Sequence, residues 1–263
     1  MIIDFHVHCF NDHIAARAIE KLSRTADIPA YTDGTVADTR EKMRLWGIDM
    51  AVVHSIATTV SSQPKVNEFA LSLLCYNDLI PFGSVHPNAQ DAVYEIRRLH
   101  DAGIKGIKLH PEYQGFDIDD EKAYPIYETI ASLDMVMLFH GGFDAAYPTS
   151  LRASAEKCAR MLDSFEGAKI VLAHLGGMRE WDKIETLIAG RDVYMDLSML
   201  PGYLEPEKAK NIIKLHPSSR LLFGTDCPWC TAPRIIEYMN ALDLTKEEQK
   251  QIYHENAARI LNM

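Results

Sequence analysis

Eight short runs of β-branched and apolar residues, each followed by an amphipathic stretch, constrain this chain more than any other feature. The runs are Ile2–His8, Met50–Ile56, Leu79–His86, Ile104–His110, Met135–His140, Lys169–His174, Val193–Ser198 and Leu221–Asp226. Near-continuous apolar character over such short lengths fits parallel strands buried on both faces. Helical patterns fill the intervals at 13–23, 36–46, 65–76, 91–100, 124–133, 152–162, 180–189 and 207–215, and two more close the chain at 235–242 and 247–261. Ala102-Gly103 and Gly167 punctuate the pattern, and Pro206 suits the first turn of a helix, where a missing amide proton costs nothing. An α/β fold of the (β/α)8 TIM-barrel type needs about 250 residues, and this chain has 263. No linker or low-complexity tract divides it, so residues 1–263 read as a single domain. A doubly wound sheet would want a glycine fingerprint after its first strand, and HVHCFND is not one.

Barrels of this kind place their chemistry at the C-terminal ends of the strands. His6 and His8 close the first run, His86 the third, His110 the fourth, His140 the fifth and His174 the sixth, while Asp226 closes the eighth. Six of the 11 histidines therefore fall at strand exits, which a chance spread over helices and loops would not produce. Side chains at i and i+2 of a strand share a face, so His6 and His8 can bind neighbouring positions of one ion. Imidazole nitrogen and carboxylate oxygen are ligands that zinc prefers, in a site with one position left for water. His-x-His alone is a weak signal. Joined to His140, His174 and Asp226 at strand ends, it becomes a strong one.

In order along the chain, DFHVH, FHGG, AHLGG and GTDCPW resemble the amidohydrolase superfamily. They most resemble its amidohydrolase-related branch, which includes aminocarboxymuconate-semialdehyde decarboxylase. The likeness covers essentially the whole chain, down to ENAARIL at 255–261. It implies that His6, His8, His140 and Asp226 hold one zinc ion and that His174 works on substrate. Other members hold two metals bridged by a carboxylated lysine or a glutamate on strand 4. Here that strand offers Lys108 and His110, so one ion is favoured, two stay open, and His110 and His174 are the candidates for a second metal or for substrate.

The chemistry expected from this site is hydrolysis of a small carboxylated or cyclic amide, ester or lactone by a metal-activated water. Asp226 would accept or relay the proton and His174 would stabilise the developing oxyanion. The same apparatus could protonate carbon and release carbon dioxide from an aromatic or unsaturated carboxylic acid, which is the alternative expectation. A TatD-type metal-dependent deoxyribonuclease is a second alternative, though its strand-4 glutamate has no counterpart in IKGIKLH. A barrel without catalysis, serving as a scaffold, would have lost at least one ligand. Arg152, after the long loop beyond strand 5, is a candidate to orient a substrate carboxylate. Trp229 offers an aromatic wall.

Blander roles attach to the remaining polar groups. Asp4 shares parity with His6 and His8, and either braces a ligand imidazole from below or caps barrel-floor amides. His54 and His86 read as core or supporting groups, and Cys9 packs against the helix shell. CPWC at 227–230 mimics a redox dithiol, but it follows a metal-ligand aspartate instead of opening a helix in a thioredoxin-like sheet. Five cysteines, an odd number, read as reduced thiols in a cytoplasmic protein. No run approaches the roughly 20 apolar residues of a membrane span, and no secretory signal opens the chain. A net charge of −10 argues against nucleic acid and anionic membranes as partners. The expected partner is a small-molecule substrate, and relatives suggest a homodimer.

Overall fold

In the computed structural model, which describes residues 1–263, all eight runs are parallel strands. They are β1 (Ile3–Val7), β2 (Met50–His54), β3 (Leu79–Phe82), β4 (Gly106–Leu109), β5 (Val136–Phe139), β6 (Ile170–Leu172), β7 (Tyr194–Asp196) and β8 (Leu221–Leu222). Each is shorter than its apolar run, because the final residues of most runs leave the ladder to line the mouth. Regular pairing joins β1-β2-β3 and β4-β5-β6-β7-β8. Single parallel bridges, Gly83 to Ile107 and Val7 to Cys227, close the two seams into a ring. The β3–β4 seam depends on a glycine: a Cβ at Gly106 would lie 2.4 Å from the Phe82 ring.

Helices cover the ring between strands. Asp12–Ala26 and Val36–Leu45 both lie between β1 and β2, and Gln63–Ser72, Ala92–Asp101, Tyr124–Ser132, Ala155–Ser164, Trp181–Leu187 and Pro206–Leu215 follow the next six strands. The helix expected from residue 152 starts at Ala155, because the Ser154 side chain accepts from the Lys157 amide and caps it there. The closing helix of 247–261 is broken into Lys246–Lys250, a π-helical turn at Gln251–Glu255 and Asn256–Ile260. Buried Asn256 ties it to the barrel by donating to the carbonyls of Ser218 (2.7 Å) and Leu221 (2.8 Å).

Two apolar clusters result. A larger one of 56 residues fills the space around the strands and helices. A smaller one of 13 joins Ile3, Phe5, Val52, Phe82, Leu138 and Val171 to Ala257, Ile260 and Leu261, so the last helix plugs the barrel floor. A register irregularity between Asp4 and Val7 shifts the phase of β1. That irregularity lets Phe5 join the floor cluster while His6 and His8 line the mouth above it. No helix is long and apolar enough to cross a membrane.

Candidate metal centre

The β8–β1 seam brings the N-terminal histidines to the carboxylate 220 residues away. Asp226 donates its amide to the His6 carbonyl (2.7 Å), and His8 donates to the Cys227 carbonyl (2.6 Å). Asp226 has a left-handed φ of 65°, as His174 does at 60°. Non-glycine residues rarely adopt this region, and where they do at a strand exit the strain commonly serves a site. The result is that Asp226 Oδ1 lies 3.5 Å from His6 Nε2 and 3.2 Å from His8 Nε2.

The protons on these rings can be assigned from their partners. Asp196, fully buried, accepts from His6 Nδ1 (2.9 Å), from Ser198 Oγ (2.5 Å) and from the amides of His174 and Ser198. Such a donor set uses the carboxylate as an acceptor throughout, so Nδ1 of His6 carries the hydrogen. Nδ1 of His8 donates to the His54 carbonyl at 2.9 Å. Ser198 gives its hydroxyl proton to Asp196, so Nδ1 of His174, 2.9 Å from the Ser198 oxygen, is the donor there. Nε2 of His140 faces the Phe143 carbonyl at 3.2 Å and must also donate.

Four lone pairs are left pointing inward: Nε2 of His6, His8 and His174, and Nδ1 of His140. The last two face one another at 3.1 Å. Burial, and the positive charge of neighbouring groups, hold His6 and His140 well below the ordinary imidazole range, so added protons do not resolve the crowding. Burial would raise Asp226, but facing His6 and His8 bring it down to about 2. Lone pairs and a carboxylate gathered without hydrogens between them fit a divalent cation. His6, His8 and Asp226 offer donor atoms within 4.8 Å of one another. His140 stands outside that group of three, on the His174 side.

Lys108 is buried at the same level, with Nζ 3.3 Å from His6 Nε2. Burial lowers it to about 8 against the opposing pull of Asp226, Asp196 and Asp144. His110 stacks on His140, with ring centroids 4.2 Å apart. Its Nδ1 accepts from the Tyr113 amide, and Nε2 meets Asp144 Oδ2 at 3.4 Å. His110, His140 and Asp144 form a further close group. Asp4 caps amides, accepting from Thr225 and from the His6 backbone. The carboxylate that braces an imidazole is Asp196. It was readable only as a lone acid inside the apolar run VYMDLS, and neither it nor Ser198 was expected.

A cavity of about 1240 Å³ opens over these groups, lined by His6, His8, Lys108, His140, His174, Asp226 and Trp229 among others. Arg152 is not in its lining; it lies 3.8 Å from Glu112 and 3.5 Å from Asp117. Arg179 is in the lining, with its guanidinium 4.5 Å above the Phe143 ring, 5.8 Å from the Tyr203 ring and no carboxylate within ion-pair distance. It sits at a left-handed φ of 59°, just after AHLGG. Cys227 and Cys230 are buried, free and pushed upward by that burial, Cys230 to about 11, which leaves little thiolate for redox work.

Eight parallel strands closed over a histidine-aspartate mouth define a barrel enzyme with a donor set for a divalent metal. The chain belongs to the amidohydrolase family, whose family model matches residues 3–263. No curated relative matches the sequence significantly. An uncharacterised TIM-barrel protein from Bordetella bronchiseptica superposes with a TM-score of 0.80 at 23% identity, over 99% of this chain and 98% of its own. A dihydroxybenzoic acid decarboxylase from Polaromonas, solved with manganese and 2-nitroresorcinol, gives 0.72 at 15% identity over 99% and 96%. A probable 2-pyrone-4,6-dicarboxylic acid hydrolase from Acinetobacter baumannii, with citric acid bound, gives 0.70 at 17% over 100% and 99%. These likenesses carry the fold. The manganese of the second leaves zinc as one metal among several.

Proposed function

We propose that this enzyme is a divalent-metal-dependent, non-oxidative decarboxylase of a small aromatic or unsaturated carboxylic acid. The observation that carries the reading is the inward set of lone pairs beside Asp226, with every accompanying proton held on the far nitrogen. His6, His8 and Asp226 would hold the cation, with His140 facing it from β5. When bound, the cation supplies Lewis-acid charge that holds and polarises substrate oxygens. Arg179 draws the anionic end of the substrate into the mouth, and Trp229 and Phe143 offer flat walls to a ring. Nε2 of His174, 3.1 Å from His140 Nδ1, faces the cavity as a lone pair; it takes a proton from solvent as the substrate enters and delivers it to the substrate carbon. The bond to the carboxyl carbon breaks, its electron pair takes that proton, and carbon dioxide leaves. The Lys108 ammonium offsets the negative charge that builds on the substrate in between.

The decarboxylase reading takes precedence over the hydrolysis expected from sequence because a decarboxylase with bound manganese shares the whole barrel. Hydrolysis of a lactone or ester stays as the second reading, supported by the pyrone dicarboxylate hydrolase neighbour. In that reading Asp226 takes the proton of the attacking water. The experiment is a panel of hydroxybenzoates, unsaturated acids, lactones and esters. It uses protein stripped of metal and reloaded with manganese or zinc, and scores carbon dioxide and acid separately. Carbon dioxide release from an acid is the expected result. Acid release from a lactone or ester without carbon dioxide replaces it with the hydrolase.

A further inference from the structure

The cavity over the mouth has an arm that the chemistry above does not use. Helix Asp12–Ala26 carries only one fully buried side chain, Ala15. Its neighbour Ile19 packs closely against Gly34. Ile14, Ala18, Leu22 and Ala26, each four residues from the last, form a strip on another face, and all four line the same cavity as His8. Ile14 is 44% exposed. Val66 and Phe69 of helix Gln63–Ser72 line this arm as well. Small-molecule pockets usually span about 300–1,000 Å³; this one exceeds that range, and a single-ring acid at the metal centre would leave the arm filled with water against apolar carbon.

We propose that the arm is a subsite for a hydrophobic tail, so that the substrate is an amphipathic acid. Its head sits at the metal centre and an alkyl chain of several carbons lies along Ile14, Ala18 and Leu22. The inference rests on the head-group reading above for which end enters first. Continuity of the arm with the histidine mouth in one cavity is what selects a substrate tail over a docked protein. The alanines at 18 and 26 leave the space that a chain would take.

The test is binding, read by calorimetry on the metal-loaded protein, of 4-alkylbenzoates from methyl to octyl and of neutral 4-alkylphenols of the same lengths. Affinity for both series should rise about three- to fourfold per methylene. Ala18→Trp, which fills the arm, and Leu22→Gln, which makes it polar, should flatten that rise while benzoate itself binds as before. A rise confined to the phenols would keep the subsite and sink the carboxylate head group. Flat affinity in both series overturns the subsite, whether or not benzoate binds. So does a rise that neither substitution alters in variants of unchanged melting temperature. Burial of the arm in a dimer that excludes the longer probes gives the same flat result.

Discussion

The floor and the flank of this cavity are built in opposite ways. On the floor, His6, His174, Asp196 and Ser198 are buried and each proton has one assignable position. On the flank, helix Asp12–Ala26 buries one side chain fully and leaves an apolar strip open. A group whose neighbours determine its tautomer can present a lone pair without reorganising, which is what a metal or a proton-transfer step requires. A flank held by few contacts can fit molecules of different length. The contrast teaches that reaction type should reside in the floor and substrate choice in the flank and rim.

Breaking the floor should give the largest effects. Asp226→Asn and His6→Ala each remove a donor from the close group of three, and the expected outcome is loss of bound metal, by elemental analysis, together with loss of turnover. His174→Asn should lower kcat by about 10²–10⁴-fold while leaving metal content unchanged. Metal loss in that variant would move His174 from proton transfer to ligation. Asp196→Asn tests the brace: it should weaken metal affinity about 10- to 100-fold, read by competition with a chelating dye. An unchanged affinity would mean the tautomer of His6 is set elsewhere.

At the rim the effects should be smaller and sorted by substrate. Arg179→Met should raise KM for carboxylate substrates about tenfold with kcat little changed. Arg152→Ala, at a half-buried ion pair outside the cavity, should change kcat/KM by no more than about fivefold. If the two arginines exchange these behaviours, the assignment of the rim is wrong while that of the floor stands.

Much of the floor was legible along the chain. A histidine or aspartate terminating an apolar run is visible without coordinates, and the barrel fold follows from counting alternating runs. Asp196 was visible as a residue and invisible as a partner, because its four donors come from β1, β6 and the end of β7. Parity left Asp4 with two roles, and the structure takes the amide-capping one, because a strand register shift is decided by packing on the neighbouring strand. Arg152 and Arg179 could not be ranked from sequence. Which loop arginine reaches a cavity depends on where each loop turns, and Glu112 and Asp117, paired with Arg152 and Lys157, hold that loop away.

Local pattern by itself determined the strands, their order and the residues standing at their ends, because burial on both faces leaves a periodic signature that no distant contact can erase. Only the closed ring decided which nitrogen of each imidazole keeps its proton, which arginine meets the cavity and which helix face stays uncovered. Those outcomes depend on distances between atoms far apart in the chain, and such distances exist only once both seams of the barrel have closed.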